Sequence, residues 1–377
     1  MNAERILVVD DEATMLHSMV RLLEGRYVVR GAASGEEALV QAAEQAPDLA
    51  ILDVRMPGMD GFALANRLRT AYPGVDVILM TGEVLEVDTQ VVRAIREGAF
   101  YFVQKPFDRE VLLTLVERCM ELRRLADENG RYVKRLEEEL ADARNFQRSI
   151  LPPGELADAK FELSAEYIPC TELGGDFYDY VVLGEDGLAF LVADVSGHGV
   201  TAAMLTATLK SAFHGTLSLG FSPDAVVARV AEALRTFDEG RFVTLFAGRV
   251  GTSGTLVYVN AGHPAPLLLP ANGGAGSVRR LGITGPMVSP AFPDLDWELL
   301  HERLEPGDRL WIYTDGVAEA RSEEGECFGE ERIVQGADAA VVGERTLRDL
   351  VAQVRTHAGG RPLEDDLTLV RIGRKPT

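Results

Sequence analysis

Over the first 118 positions, short apolar runs alternate with stretches in which apolar residues recur every three or four places. Ile6-Leu-Val-Val9, residues 27–32, Leu49-Ala-Ile-Leu52, Val77-Ile-Leu-Met80 and Tyr101-Phe-Val103 predict five strands. Residues 13–23 and 35–45 predict the first two helices, with further helical segments between the later strands. Such alternation predicts an α/β, doubly wound fold: a five-stranded parallel sheet with helices on both faces. From 109 to 151 the spacing is helical throughout, interrupted only by Gly130. With Leu122 at heptad position a, Asn129, Leu136, Ala143 and Ile150 fall at later a positions, and Leu125, Tyr132, Glu139 and Phe146 at d. Two readings are open. One is a two-stranded parallel coiled coil whose register is set by the lone Asn129; the other is a single amphipathic helix lying against its own chain. Pro152-Pro153-Gly154 ends the helix. Beyond residue 155 the pattern changes to short β-rich segments at 162–168, 188–193, 242–250, 255–260, 309–314 and 367–372. Helices are expected over 202–214 and 223–237, with two more before the last strand. Strands without strict βα alternation predict an α+β sandwich of antiparallel sheets. The expected division is therefore 1–118, a helical coiled-coil linker over 119–151, and 152–377.

Composition narrows the classes of partner. The 377 residues suffice for two or three domains with sizeable cores. A formal charge of −21 leaves no basic excess for nucleic-acid phosphates or an anionic membrane surface, so neither is an expected partner. Cys119, Cys170 and Cys327 are far apart and lack metal-ligand spacing, which fits reduced thiols. No apolar run approaches the roughly 18 residues of a spanning helix. The expectation is a cytoplasmic protein.

Two groups of aspartates carry the candidate chemistry. Ligands of parallel sheets bind at the carboxyl ends of the strands, where Asp10, Asp11, Asp53, Thr81 and Lys105 all stand. A carboxylate that accepts a phosphoryl group must be ionised, near a divalent cation, and near a positive group that offsets the added charge. Asp53 can be that acceptor, Asp10 and Asp11 can hold the cation, and Lys105 supplies the positive charge. Thr81 offers a hydroxyl, and Phe102 is an aromatic able to change position with it. The motifs Val-Val-Asp10-Asp11, Asp53-Val-Arg-Met-Pro57-Gly-Met-Asp-Gly61, Met80-Thr81-Gly82 and Phe102-Val-Gln-Lys105-Pro106-Phe107 resemble the receiver domain of bacterial response regulators, across residues 4 to 118. That resemblance implies that Asp53 is the phosphoacceptor and that Asp10, Asp11, Asp53 and the Arg55 carbonyl hold Mg2+. It also implies a sensor histidine kinase as partner. Phosphorylation would move Thr81 and Phe102, altering the face formed by the fourth strand, the helix after it and the fifth strand.

The second group lies beside glycines: Gly174-Gly-Asp176-Phe-Tyr-Asp179, Asp194-Val-Ser-Gly-His198-Gly199, Asp315-Gly316 and Asp365-Asp366. Glycine lets backbone and metal approach closely. Two cations shared between aspartates can acidify a water and clamp a phosphoryl oxygen without a covalent nucleophile, and no Ser–His–Asp or Cys–His arrangement stands out. With Gln147-Arg-Ser-Ile-Leu151-Pro152, Asn260-Ala-Gly-His263-Pro264 and Pro306-Gly-Asp308-Arg-Leu-Trp-Ile-Tyr-Thr-Asp315-Gly-Val-Ala-Glu319, the ordered set resembles the PPM-type metal-dependent serine/threonine protein phosphatases in their bacterial SpoIIE/RsbU-like branch, over 145–373. The resemblance implies an αββα sandwich holding two Mn2+ or Mg2+ ions. Asp194 would bridge the metals, with the Val195 carbonyl as a further ligand. Asp315 and Asp365 would complete the first metal's shell, and Asp176 would serve the second. Asp366 would stand behind the ligands, Asp179 would hydrogen-bond locally, and His263 would be packed in the structure. His198 is open between a general acid and a structural or substrate-side role.

Together these readings imply a two-component response regulator whose output is a metal-dependent protein serine/threonine phosphatase, controlled by phosphorylation of Asp53. By resemblance its substrate is a phosphorylated anti-sigma-factor antagonist in a partner-switching circuit, and the protein is a homodimer through the 119–151 helix. The alternative is a catalytically inactive phosphatase-fold adaptor that binds a signalling partner under receiver control.

Overall fold

In the computed structural model, the five apolar runs of the N-terminal part are strands β1 (Arg5–Val9), β2 (Val28–Ala32), β3 (Leu49–Asp53), β4 (Asp76–Thr81) and β5 (Tyr101–Gln104). They pair in parallel in the order β2-β1-β3-β4-β5. The residues described are 4–82, 101–197, 199–218, 220–237, 240–273, 276–292, 295–342 and 346–376. Two compact units, Met1–Arg135 and Leu136–Thr377, divide the chain.

Period-two alternation explains the layering of the first unit. Leu7, Val9, Ala50, Leu52, Val77 and Leu79 face helices α2 (Gly35–Glu44) and α3 (Gly61–Ala71). Ile6, Val8, Leu49, Ile51, Ile78, Met80 and Val103 face α1 (Ala13–Leu23) and the start of α4 (Arg109–Ile150). Ser34 and Asp60 cap α2 and α3 by accepting from the Glu37 and Ala63 amides at 3.2 and 2.7 Å, each worth about 1 kcal/mol. The helix expected between β4 and β5 falls outside the described residues.

Helix α4 is one continuous element of 42 residues. Its first turns bury Leu112, Val116, Cys119 and Met120 in the receiver-like core. Arg123 then fastens it: Nη1 donates to the Asp48 carbonyl at 3.1 Å and to the Gly74 carbonyl, and it pairs with Asp76 Oδ2 at 3.4 Å. From 124 to 140 every residue is exposed, including Leu125, Tyr132 and Leu136 of the heptad stripe.

In the second unit the strands form two antiparallel sheets. One has the order β14 (Leu300–Arg303), β11 (Thr255–Ala261), β10 (Val243–Val250), β9 (Leu188–Val195), β8 (Asp176–Val182). The other runs β13 (Arg279–Arg280), β12 (Leu267–Leu269), β15 (Arg309–Tyr313), β16 (Leu367–Arg374), β7 (Phe161–Ile168), β6 (Glu155–Ala157). Alternation again assigns faces. Phe190, Val192, Phe246, Leu310, Ile312, Val370 and Ile372 meet between the sheets, with the Phe190 and Phe246 rings stacked at 5.8 Å. Leu191, Ala193, Leu245 and Ala247 turn outward against α5 (Val200–Leu217) and α6 (Pro223–Leu234). On the opposite side, Trp311, Tyr313, Leu367 and Leu369 meet α8 (Glu330–Val342) and α9 (Leu347–His357). The expected αββα sandwich is present, each buried large apolar side chain contributing about 1.5–3 kcal/mol. Gly248 is required by this packing, because a Cβ there would overlap the Phe190 ring.

The structure adds elements that periodicity did not predict: β8, the short strands β12 to β14, and the five-residue helix α7 (Asp315–Glu319). Both faces of β8 are buried at its start, so it lacks the clean polar–apolar alternation of a half-exposed strand. Among the described residues no helix is long and apolar enough to cross a membrane.

Asp48 ties β1 to the linker. It accepts from Arg5 N, Nε and Nη2 at 2.9, 3.0 and 3.1 Å and pairs with Arg123. Burial alone would raise its carboxyl, but the hydrogen bonds and charges of Arg5 and Arg123 outweigh that and hold it below 3.8. Its stabilising effect is therefore complete above pH 3.8 and is lost as pH falls through the lowered folded value. Asp48→Asn is expected to cost about 1–3 kcal/mol in denaturant unfolding of the full-length protein at pH 7. The difference from wild type should shrink when the same titration is repeated at acid pH.

Candidate functional site

The first candidate site lies where the strand order reverses, beside β1 and β3, at the carboxyl ends of the strands. Asp10 and Asp53 are buried there, and Lys105 bridges them, its Nζ 2.6 Å from Asp10 Oδ2 and 2.7 Å from Asp53 Oδ1. The Glu12 amide donates to Asp10 Oδ1 at 3.0 Å and the Arg55 amide to Asp53 Oδ2 at 3.2 Å. Burial pushes the Asp53 carboxyl above its ordinary value, with Lys105 acting against the shift. Burial works against the Lys105 ammonium, yet its hydrogen bonds to Asp10 and Asp53 hold its pKa above the ordinary value. Asp11 is exposed beside the pair. Thr81 is buried at the end of β4, and Phe102 is half-buried on β5 against the α2–α3 core. Gly61 allows α3 to begin directly against β3, since a Cβ there would overlap the Asp53 carbonyl.

The second site is at one end of the sandwich. On β8 and β9, Asp176 and Asp194 are paired in register. Alternation places both on the face that carries Tyr178, Phe190 and Val192, the inter-sheet side. By the same rule Thr314, after β15, and Thr368, on β16, enter from the opposite sheet. Their hydroxyls donate to Asp176 Oδ2 at 2.7 and 2.5 Å. Asp366 is buried and accepts from backbone: Cys170 N at 2.8 Å, Gly175 N at 2.5 Å and Asp176 N at 3.2 Å. Gly316 lets the start of α7 sit on this turn, because a Cβ there would overlap the Asp366 carbonyl.

The electrostatics of this end are one-sided. Burial first, then the charges of Asp315, Asp365, Asp366 and Glu319, push the Asp194 carboxyl up to about 8. Burial and the charges of Asp194 and Asp366 raise Asp176, while the two threonines oppose the shift. Burial and Glu319 raise Asp315. The charged groups that shift these three aspartates are all carboxylates. Among the described residues no three acidic, imidazole or thiol side chains form a ready-made ligand group. The carboxylate oxygens gathered at this end are the donors that a hard cation such as Mg2+ takes, one or two of them directly and the rest through water.

The model of the family described as Stage II sporulation protein E (SpoIIE) matches residues 184–375, just over half of the sequence. The chain belongs to the SpoIIE family. Residues 6–117 match the response regulator receiver domain, so a receiver domain precedes the SpoIIE domain. The chain is 30% identical over 266 residues to protein IcfG of Synechocystis sp., covering 63% of this chain and 41% of that protein. It is 27% identical over 227 residues to the phosphoserine phosphatase RsbP of Bacillus subtilis, covering 58% and 54%. It thus spans between two fifths and somewhat over half of these relatives. The SiaA-PP2C domain of Pseudomonas aeruginosa shares the fold, with a TM-score of 0.54 at 22% identity, over 65% of this chain and 99% of that one.

Within the second unit, Asp176 and Asp194 meet directly in register, and Asp315 and Asp365 act on Asp194 through their charge. The Val195 carbonyl faces the Gly174–Gly175 loop, where a Cβ on Gly175 would overlap it. Asp179 is on the other face of β8, as its odd spacing from Asp176 requires. It pairs there with Lys210 Nζ at 2.8 Å and His214 Nε2 at 2.9 Å. His263 is fully buried with Nδ1 3.0 Å from Thr244 Oγ1, and burial pushes it down to about 3. His198 lies outside the described residues. Sequence reasoning missed the roles of Thr314, Thr368 and Gln147. Strand parity and adjacency to Asp315 and Asp366 could have found the threonines. Glu319, four residues after Asp315 on α7, shares its face by helical spacing.

Replacing Asp194 by a neutral residue is expected to remove the cost of burying an acid among other carboxylates. Asp194→Asn should raise the melting temperature of the metal-free protein by a few degrees (about 1 kcal/mol corresponds to roughly 2–4 °C for a unit of this size). It should also abolish the rise that Mn2+ gives the wild type. Differential scanning calorimetry with and without Mn2+ measures both.

Proposed function

We propose that the protein is a two-component response regulator whose output is a metal-dependent protein serine/threonine phosphatase. The observation that carries the reading is the contrast between the two aspartate clusters. The receiver cluster has its own cation, Lys105, between Asp10 and Asp53. The charges acting on the SpoIIE-domain cluster are all carboxylates, so bound cations would balance it.

In the receiver, Asp53 is the proposed phosphoacceptor, with Asp10, Asp11, Asp53 and the Arg55 carbonyl as the Mg2+ set. A sensor histidine kinase is the proposed donor. Lys105 can swing its ammonium to the new phosphoryl oxygens, because it already touches the acceptor oxygen. Thr81 and Phe102 are the proposed switch residues.

In the output domain, two Mn2+ or Mg2+ ions would be held by Asp194, the Val195 carbonyl, Asp315, Asp365 and Asp176. When bound, such ions polarise a phosphoryl oxygen and acidify a water. The protein's own part is positional. Thr314 and Thr368 fix the Asp176 carboxylate in one orientation, and Asp366 pins the Gly175 and Asp176 amides. The name of RsbP, a phosphoserine phosphatase, supports a phosphoserine or phosphothreonine substrate. We place that substrate on an anti-sigma-factor antagonist. Residues 119–151 are the proposed linker, and the exposed stripe of Leu125, Tyr132 and Leu136 supports pairing with a second copy.

Purified protein should hydrolyse a phosphoserine protein only with Mn2+ or Mg2+. Asp194→Asn should lower the rate by two orders of magnitude or more, since even outer-shell metal partners are worth about 10–100-fold. Beryllofluoride should raise the wild-type rate and leave Asp53→Asn unchanged. Leu136→Glu should shift sedimentation from dimer to monomer. Partner binding without turnover in the wild type would favour the adaptor reading.

A further inference from the structure

Strand β9 ends at Val195, and its antiparallel pairing with β10 carries on past that end. The Ser196 amide donates to the Phe242 carbonyl at 2.9 Å, and the Phe242 amide donates to Ser196 Oγ at 3.0 Å. Thr244 stands opposite Asp194 and Val243 opposite Val195, so the same register brings Arg241 opposite Gly197. The half-buried Arg241 side chain folds onto the loop that Asp194 opens, where Nη1 donates to the Ser196 carbonyl at 2.9 Å. A Cβ on Gly197 would stand 3.2 Å from the same nitrogen, so glycine leaves the guanidinium room against the backbone. A fixed positive charge thus rests one peptide unit beyond the Val195 carbonyl.

The base of that side chain is held from the other side as well. The Arg241 carbonyl accepts from Ser289 Oγ at 3.1 Å. Val243 exchanges both backbone hydrogen bonds with Val288, at 2.8 and 2.9 Å. Residues 241–243 are therefore clamped between the end of β9 and the 288–289 segment. A guanidinium carries five N–H donors in a planar fork. Among the described residues Arg241 uses Nη1 alone, on Ser196, and pairs with no carboxylate, in a chain with 59 acidic and 38 basic side chains. The Nε–Nη2 edge is the one whose geometry matches two oxygens of a phosphoryl group.

A phosphate monoester carries close to two negative charges at neutral pH. At this end of the sandwich it would approach Asp194, on which the charges of Asp315, Asp365, Asp366 and Glu319 already act. Bound cations offset part of that repulsion, and a guanidinium on the Asp194 loop offsets more. We propose that Arg241 is a substrate-binding residue, whose Nε–Nη2 edge takes two oxygens of the phosphoryl group while Nη1 stays anchored on Ser196. The inference rests on the phosphatase reading above and names the side chain that recognises the phosphoryl dianion.

The test uses the full-length protein and two variants. Arg241→Met keeps an unbranched stem and loses charge and donors, and Arg241→Lys keeps the charge without the fork. Calorimetry reads Mn2+ binding, then the binding of inorganic phosphate to the Mn2+-loaded protein. Hydrolysis of p-nitrophenyl phosphate at saturating Mn2+ gives KM and kcat. Arg241→Met is expected to weaken phosphate binding and raise KM together, each by about 10–100-fold, the scale of hydrogen bonds to a charged group. Its kcat should change far less, since the contact is made to substrate and transition state alike. Arg241→Lys should recover part of both losses, because a point charge replaces the fork. Mn2+ affinity and melting temperature should stay close to wild type in both. Unchanged phosphate affinity and KM in Arg241→Met would overturn the inference. So would a fall of Mn2+ affinity in step with phosphate affinity, which marks a brace for the Ser196 loop and no contact with phosphate. A wild type that hydrolyses no phosphomonoester, yet binds phosphate more tightly than Arg241→Met, would overturn the phosphatase reading and uphold the anion contact.

Discussion

Like charges gathered inside a protein must be neutralised, and the two halves of this chain meet that requirement differently. In the receiver domain the opposing charge is covalent: Lys105 follows β5 and reaches both Asp10 and Asp53. In the second unit the carboxyls of Asp176, Asp194 and Asp315 are driven toward their protonated forms by burial and by neighbouring carboxylates. In the first cluster one ammonium offsets part of the charge of two buried carboxylates. The second has only carboxylates among the charges that shift it, and the fold around it keeps them together.

That arrangement follows from strand parity. Two sheets pack face to face, so residues of one parity on each strand share the space between them. Where the side chains are Phe190, Phe246, Ile312 and Val370, this space is core. At the strand ends the same parity brings Asp176, Asp194, Thr314 and Thr368 together. Core and site are thus one layer, apolar in its interior and acidic at its edge. The glycines at 174, 175 and 316 let three backbone segments close over that edge without a side chain between them.

Helix α4 connects the two chemistries through contacts of opposite character at its ends. At the receiver end Arg123 grips two backbone carbonyls and two carboxylates. At the SpoIIE end a neutral amide, Gln147, grips one peptide unit. Between them lies an exposed apolar stripe with Gly130 in its middle, which costs helix propensity of about 1 kcal/mol relative to alanine.

Much was legible in the sequence because it depends on local pattern. The five receiver strands, α1 over Ala13–Leu23 and the long helix all follow from apolar spacing that survives into the tertiary structure. The aspartates were found because the first group stands at the carboxyl ends of predicted strands and the second beside glycines. Strand β8 was missed, since burial on both faces erases the alternation that marks a half-exposed strand. The hydroxyls of Thr314 and Thr368 were missed because their partner, Asp176, is more than a hundred residues away in the chain. Gln147 was noticed only as part of a motif. The order of elements and the residue types able to hold phosphate or metal were thus determined by the chain alone. Which acids face one another, which hydroxyls orient them, and that Asp179 turns away to Lys210 and His214 were decided by the pairing of distant strands. Register between β8 and β9 and the stacking of two sheets are non-local, and only the folded chain supplies them.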